Sequence, residues 1–222
     1  GGAVSNGGIA IVDTGNDIIS LAEINGSFEM SSEGSYGALQ VGVPQVGVPR
    51  FTVPGVSLSG GTVTVQINTV DEEKSGDFNL GGATAETLTF GAGPYLRVDV
   101  EGASLELTGL GTLSGDFAFE QSGDVTKVGV SNVTASVDVN GSAGSLEQGK
   151  GAMLVTGAGV AGTLEGKLAV SVSSLEAGGP LVLRFNNTGS IIDQTLKVGG
   201  ESVGITFSDT EDVFLVSLLG GS

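Results

Sequence analysis

Any chemistry in this chain has to come from carboxylates. It carries 25 Asp and Glu against 8 Lys and Arg, and it has neither His nor Cys. Without imidazole, the commonest general base and transition-metal ligand are missing, and no Ser-His-Asp triad can form. Without thiols there is no disulfide framework and no thiolate metal site. What remains is oxygen chemistry. Two short stretches each put three carboxylates into one turn: Asp71, Glu72 and Glu73, and Asp209, Glu211 and Asp212. Calcium takes about six to eight oxygen ligands, which clustered carboxylates and turn carbonyls can supply. These six residues are therefore the candidate Ca2+ ligands. The competing reading is that they are solvated turn charges that keep strand edges from pairing with other chains. Neither an EF-hand loop nor the Gly-Gly-x-Gly-x-Asp nonapeptide is present.

A second carboxylate set suggests acid–base catalysis. Asp99 and Glu101 share one face of a strand, and Glu106 and Glu120 fall on neighbouring ones. A glycosidase places two carboxylates across a cleft and presents aromatic platforms to its sugar. Here there is no Trp, and the Tyr residues are Tyr36 and Tyr95. A solvated sheet face explains these acids better, and the chain is expected not to be an enzyme. Asn25, Asn132, Asn140 and Asn186 head Asn-x-Ser/Thr sequons.

The elements that would position these residues are strands. Val63, Val65 and Ile67 alternate with Thr62, Thr64, Gln66 and Asn68. Leu96, Val98 and Val100 alternate with Arg97, Asp99 and Glu101; Phe117 and Phe119 alternate with Asp116, Ala118 and Glu120. Such period-2 runs predict strands with one dry and one wet face. Forty glycines, with no Gly-X-Y period, separate these runs as turn punctuation. No stretch keeps helical periodicity over three turns without a glycine. The segment 31–36 reads as a loop. Pro44, Pro49 and Pro54 mark 37–57, with its Val-Gly-Val-Pro tandem, as an edge segment or connector. The last strand, Val213–Leu219, is apolar on both faces, which suits a strand covered on both sides or one that docks onto a neighbouring module. The predicted fold is all-β and mainly antiparallel. It is an elongated repeat architecture, sandwich-like or solenoid-like, with essentially no helix.

The chain also matches itself. Thr62–Gly82 lies on Pro180–Gly200 without a gap, so that Asn68 falls on Asn186 at an offset of 118. A shorter cassette, apolar-x-Gly-x-apolar-x-apolar, occurs at Ile24–Met30, Leu113–Phe119 and Leu164–Val170, and Gly37-Ala38-Leu39 resembles Gly151-Ala152-Met153-Leu154. A pattern that keeps its period while identity drifts is what repeat proteins leave behind. The expected organisation is a cap or degenerate repeat with a connector over 1–55, a β-repeat over 56–175, and an incomplete second repeat over 176–222.

Three segments carry a family resemblance: Gly93-Pro94-Tyr95-Leu96-Arg97-Val98, then Leu113–Gln121, then Val128–Thr134. They resemble the tandem modules of giant repetitive bacterial surface proteins of the adhesin-like, hemolysin-type calcium-associated kind. The resemblance spans about residues 56–207. It implies an extracellular or cell-surface bacterial setting and use in series, and it brings no catalytic residues. A net charge of −17 argues against nucleic acid, since no basic stripe exists to neutralise phosphates. No apolar run reaches the ~20 residues of a membrane-spanning helix. The opening GGAVSNGG has no basic n-region, so no signal peptide is expected there. The expected function is a structural module of a fibre, surface layer or adhesin whose partners are other repeats or copies of itself. The alternative is a glycan- or calcium-binding module of an adhesin.

Overall fold

The computed structural model describes the backbone of residues 2–13, 16–42, 51–53, 56–107, 111–139, 142–172 and 175–218, and the side chains of 25–41, 60–104, 112–136, 144–171 and 178–218. The described backbone is strand, turn and bend, with no helix, so no helix in it is long and apolar enough to cross a membrane. The chain divides into two compact units: Gly1–Ala103 with Phe119–Asp124, and Ser104–Ala118 with Val125–Ser222.

In the first unit the strands are β1 (Gly2–Asp13), β2 (Asn16–Ser31), β3 (Gly34–Gly42), β4 (Phe51–Val53), β5 (Val56–Ser59), β6 (Thr62–Asn68), β7 (Lys74–Phe78) and β8 (Glu86–Phe90). β9 (Tyr95–Leu107) and β10 (Gly111–Ser122) each contribute residues to both units. The order in the first unit is β1-β2-β3-β6-β9, and β9 is then flanked by β10. β7 and β8 form a separate hairpin. The loop expected over 31–36 is instead a tight turn: Ser31 pairs with Gly34, and β3 begins at once. Ser31 Oγ accepts from the Glu33 N–H at 3.2 Å and closes the turn locally, as short hydroxyl side chains do. The Val-Gly-Val-Pro tandem and Pro54 lie largely outside the described residues.

The second unit contains β11 (Val125–Val139), β12 (Ser142–Thr156), β13 (Gly159–Val172), β14 (Leu175–Asn186), β15 (Ile192–Val198), β16 (Glu201–Phe207) and β17 (Val213–Leu218). Its order is β10-β11-β12-β13-β14-β17, with β15–β16 as a separate hairpin. Neighbouring strands run antiparallel along β1-β2-β3-β6-β9 and along β11-β12-β13-β14-β17. The pairs β4–β5, β7–β8 and β15–β16 are antiparallel too.

The two units share their registers. Tyr36 pairs with Asn68, and Asn68 with Tyr95. In the second unit Ala161 pairs with Asn186, and Asn186 with Val213. β6 and β9 thus map onto β14 and β17 at the same 118-residue offset seen in the sequence. The Ser31/Gly34 turn recurs at Thr156/Gly159, an offset of 125, and Thr156 Oγ1 again accepts from the N–H two residues on, at 3.2 Å. Gly34 and Gly159 have φ of 142° and 150°, a region other residues avoid, which is why both positions are glycine. β1 maps onto β11 with its bulge included: the register slips between Val4 and Gly7 and again between Val130 and Val133. The strand registers therefore place Gly26 on Gly151 and Gly37 on Gly162. This replaces the looser pairing of Gly37 with Gly151 suggested by the sequence alone.

In each unit the core lies between the hairpin and one face of the strands. In the first unit it consists of Ala38, Phe78, Leu80, Phe90 and Tyr95, with Tyr36 and Leu88 packed against them. In the second it consists of Ala118, Ala152, Leu154, Ala161, Ile192, Leu196, Val198, Val203, Ile205 and Phe207. Close approach shapes the second core. A Cβ on Gly129 of β11 would lie 2.5 Å from Val198 Cγ2 and 2.7 Å from Leu196 Cδ2, so any larger residue there would have to displace the hairpin side chains packed against the strand.

On β6, β10 and β14 the covered face is the one the sequence marked as wet, whereas on β11 it is Val133 of the apolar row that is buried. Asn68 and Asn186 are fully buried, Gln66 is buried, and on β10 it is Asp116 and Ala118 that are buried. The Phe117 and Phe119 side chains are only half-buried. The physical reason is that the hairpins lie on this face and require small or hydrogen-bonded residues beneath them.

Candidate functional site

Both acidic turns are exposed. Asp71–Glu73 joins β6 to β7. There the Glu72 carbonyl accepts from Asn68 Nδ2 at 2.8 Å, and the Glu72 carboxylate meets Lys74 at 3.4 Å. Asp209–Asp212 joins β16 to β17, and Asp209 Oδ1 accepts from the Glu211 N–H at 3.2 Å. Among the described residues no group of three or more such side chains could hold a metal ion. The second unit builds the first of these turns without acids. At the 118-residue offset Gly189, Ser190 and Ile191 replace Asp71–Glu73, yet Asn186 Nδ2 still donates to the Ser190 carbonyl at 3.1 Å. Asn68 Oδ1 accepts from the Val70 N–H at 2.9 Å, and Asn186 Oδ1 from the Thr188 N–H at 3.1 Å. The buried asparagine, not the carboxylates, holds this turn.

The second carboxylate set surrounds a cation. Arg97 on β9 makes two bonds to Asp99, Nε to Oδ2 and Nη2 to Oδ1, each 2.6 Å, and a third from Nη1 to Glu120 Oε2 on β10 at 2.9 Å. The Tyr95 hydroxyl donates to the same Glu120 oxygen at 3.5 Å. The Arg97, Asp99 and Glu120 side chains are only 12%, 14% and 18% exposed, so the expected solvated face is a sheltered ion network. Burial opposes the Arg97 charge, but the bonds to Asp99 and Glu120 outweigh it and hold the guanidinium above its usual range. Burial, then the nearby Glu120 charge, push the Tyr95 phenol well above its usual range. A bidentate Arg–carboxylate pair fixes geometry strongly. Here it locks Asp99 and Glu120 to a cation instead of presenting them to a substrate. Glu101 is exposed, and the Glu106 side chain lies outside the described residues.

An open cleft of about 710 Å3 lies in the second unit, and its lining includes Asn132, Gln148, Lys150, Glu165, Lys167 and Glu201. Asn132 and Gln148 both have φ of 53°, a left-handed conformation often found at functional sites. Here it has a local cause, because each sits where the register slips, between Val130 and Val133 and between Glu147 and Lys150. Such extra residues bend a strand. Asn132 is tied down by Asp116, whose Oδ2 accepts from Asn132 Nδ2 at 2.7 Å. Lys150 and Glu165 pair at 3.1 Å and stay half-exposed. No aromatic ring lines the cleft. Sequence reasoning missed this cleft, because nothing in an alternating pattern marks where a bulge turns a polar residue outward.

Of the sequons, Asn186 is buried and committed to its turn, Asn132 is bonded to Asp116, and Asn140 lies outside the described residues. Comparison with protein-family models, with curated proteins and with solved structures gave no match.

Proposed function

We propose that this chain is a non-enzymatic structural module of an extracellular fibre, surface layer or adhesin, an elongated β-repeat body assembled through contacts between repeats or subunits. One observation carries the reading: the two units share their frame, while the ion network of the first unit does not recur. Registers, bulge, hairpin turn and the buried asparagine of the turn recur in both. Tyr95, Arg97 and Asp99, by contrast, stand where the second unit has Val213, Leu215 and Ser217. Chemistry that mattered to each module would recur with the frame, whereas a scaffold used in series needs only the frame. The sequence resemblance to repetitive surface proteins points the same way. The test is negative-stain microscopy with light scattering over rising protein concentration. Assembled species are expected, and a monodisperse monomer throughout would sink the reading.

The cleft beside Asn132 and Gln148 favours a second reading, a glycan-binding module. Saturation-transfer NMR with neutral oligosaccharides should then show contacts that Gln148→Ala removes. The calcium reading of Asp71, Glu72, Glu73, Asp209, Glu211 and Asp212 is tested by melting in calcium against chelator. Solvated turn charges predict an unchanged Tm; a rise at millimolar calcium would establish a site.

A further inference from the structure

The two units seat their hairpins differently. In the first, β7 packs on β3 and β8 on β6. The hairpin turn rests on β2, where a Cβ on Gly81 would lie 2.6 Å from Asn25 Nδ2. In the second, β15 packs on β11, and β16 on β12 and β13. This turn rests on β10, where a Cβ on Gly199 would overlap the Asp116 carboxylate. Since β3 and β6 match β13 and β14, the second hairpin sits one to two strands nearer β10. The registers put Lys150 at the Asn25 position, and its cross-strand partner Glu165 at that of Gln40. What the turn covers in the first unit is therefore open floor in the second. The Lys150 and Glu165 side chains are each 48% exposed. The cleft of about 710 Å3 lies over them, and Glu201, just past the turn, forms part of its wall. We propose that this vacated seat is a binding site for a short neutral oligosaccharide, and that Asp116 is the positioning residue that keeps the hairpin turn off it.

The inference rests on the glycan reading above and adds the residue that builds the site. Asp116 is buried and does not line the cleft, so it acts through its neighbours. Its Oδ2 accepts from Asn132 Nδ2 at 2.7 Å. The fully buried Ser131 has its Oγ 3.4 Å from the same oxygen and donates to the Val198 carbonyl at 2.9 Å. One carboxylate thus fixes a bulge residue at the rim of the cleft and the last residue before the hairpin turn. The class of ligand follows from what the cleft leaves free. Lys150 and Glu165 neutralise each other at 3.1 Å, and Lys167 and Glu201 add one charge of each sign. A floor with no net charge favours neither an anion nor a cation. Asn132 keeps its amide oxygen and Gln148 both ends of its amide, none of them bonded among the described residues. Such mixed acceptors and donors suit hydroxyl groups, which need both. The volume is that of an ordinary ligand pocket, about 300–1,000 Å3. With no ring for stacking, affinity comes from hydrogen bonds exchanged with water and is weak.

The test is NMR titration of the full chain with the neutral trisaccharides maltotriose, cellotriose and chitotriose, in low and high salt. In the wild type the amides of Gln148 and Lys150 and those of Gly200 and Glu201 should shift together, with one Kd that salt leaves unchanged. Asp116→Ala should weaken binding about tenfold or more. Asp116→Asn keeps an oxygen to accept from Asn132 and should bind as the wild type does. Asn186→Ala destabilises the same unit away from the cleft and should leave the Kd unchanged. Binding that Gln148→Ala removes but Asp116→Ala leaves intact overturns the positioning role, and the glycan reading stands. Equal weakening by Asn186→Ala overturns it as well, since Asp116 would then contribute only stability. Should Asp116→Ala fail to fold, the wild type decides: shifts confined to the strands, with the turn amides unmoved, overturn the vacated seat as the site. A Kd that changes strongly with salt overturns the neutral class. No binding of any of the three sugars overturns both the inference and the glycan reading.

Discussion

The first unit fills its core with rings and the second fills the same frame with aliphatic side chains. In the first, Tyr36, Phe78 and Phe90 meet edge to face, with centroids 5.2 to 6.0 Å apart. The second has Ala161 at the Tyr36 position and Leu196 at the Phe78 position, and only Phe207 keeps its ring. The missing volume is recovered at the margins. Leu154, Ile192 and Val203 are buried in the second unit, where the first has Glu29, Lys74 and Glu86. Glu29 instead accepts from the Tyr36 hydroxyl at 2.5 Å, and that bond raises the Tyr36 pKa. Two fillings of one frame show that the frame is specified by turns, bulges and buried asparagines, while the core needs only apolar volume of the right amount.

The contrast in packing should show most strongly at the shared phenylalanine. Phe90→Ala removes a fully buried ring and should cost about 3–5 kcal/mol. Phe207→Ala should cost less, because Phe90 also forfeits two aromatic pairs of about 0.5–1.5 kcal/mol each. Chemical denaturation of the two variants checks the order, and equal losses would contradict the packing difference. Next, Arg97→Leu installs the residue of the second unit and strands Asp99 and Glu120 without their cation. A loss of about 3 kcal/mol is expected, partly recovered by adding Asp99→Ser. No loss would mean that the network contributes nothing beyond its packing.

Asn68→Ala and Asn186→Ala should each cost about 2 kcal/mol, since each leaves buried turn groups unsatisfied. Similar losses in both units would support a shared frame, and a loss confined to one unit would count against it. The smallest effect is in alkali. The fold raises the Tyr95 pKa above its ordinary 10.0, so the folded state holds this proton more tightly than the unfolded chain. Its contribution is complete below pH 10 and is lost as the pH rises above it. Tyr95→Phe should therefore flatten the fall in Tm above that pH without abolishing it, because Tyr36 remains. An identical alkaline profile would show that Tyr95 contributes nothing to it.

Much of this frame is legible in the sequence, and the limits are physical. Alternation and glycine punctuation mark an all-β, antiparallel chain. Asn68 and Asn186 align because no insertion separates them from the strands that follow. The match of β1–β3 to β11–β13 is hidden, since the first unit has a longer connection between β3 and β6 than the second has between β13 and β14. The offset therefore changes from 125 to 118 part-way along. The burial of Arg97, Asp99, Gln66 and Asp116 cannot be read from period 2 at all. That period separates two faces without saying which one a hairpin will cover.

The decisive experiment on the shared frame is hydrogen–deuterium exchange at single-amide resolution. The Val70 and Thr188 amides donate to the buried asparagines, and the Thr69 and Asn187 amides to the Ser35 and Val160 carbonyls. A shared frame predicts that each pair exchanges slowly and in the same protection class, since the bonds are the same while the cores differ. Strong protection in one unit, with exchange near the free rate at the matching amides of the other, would contradict it.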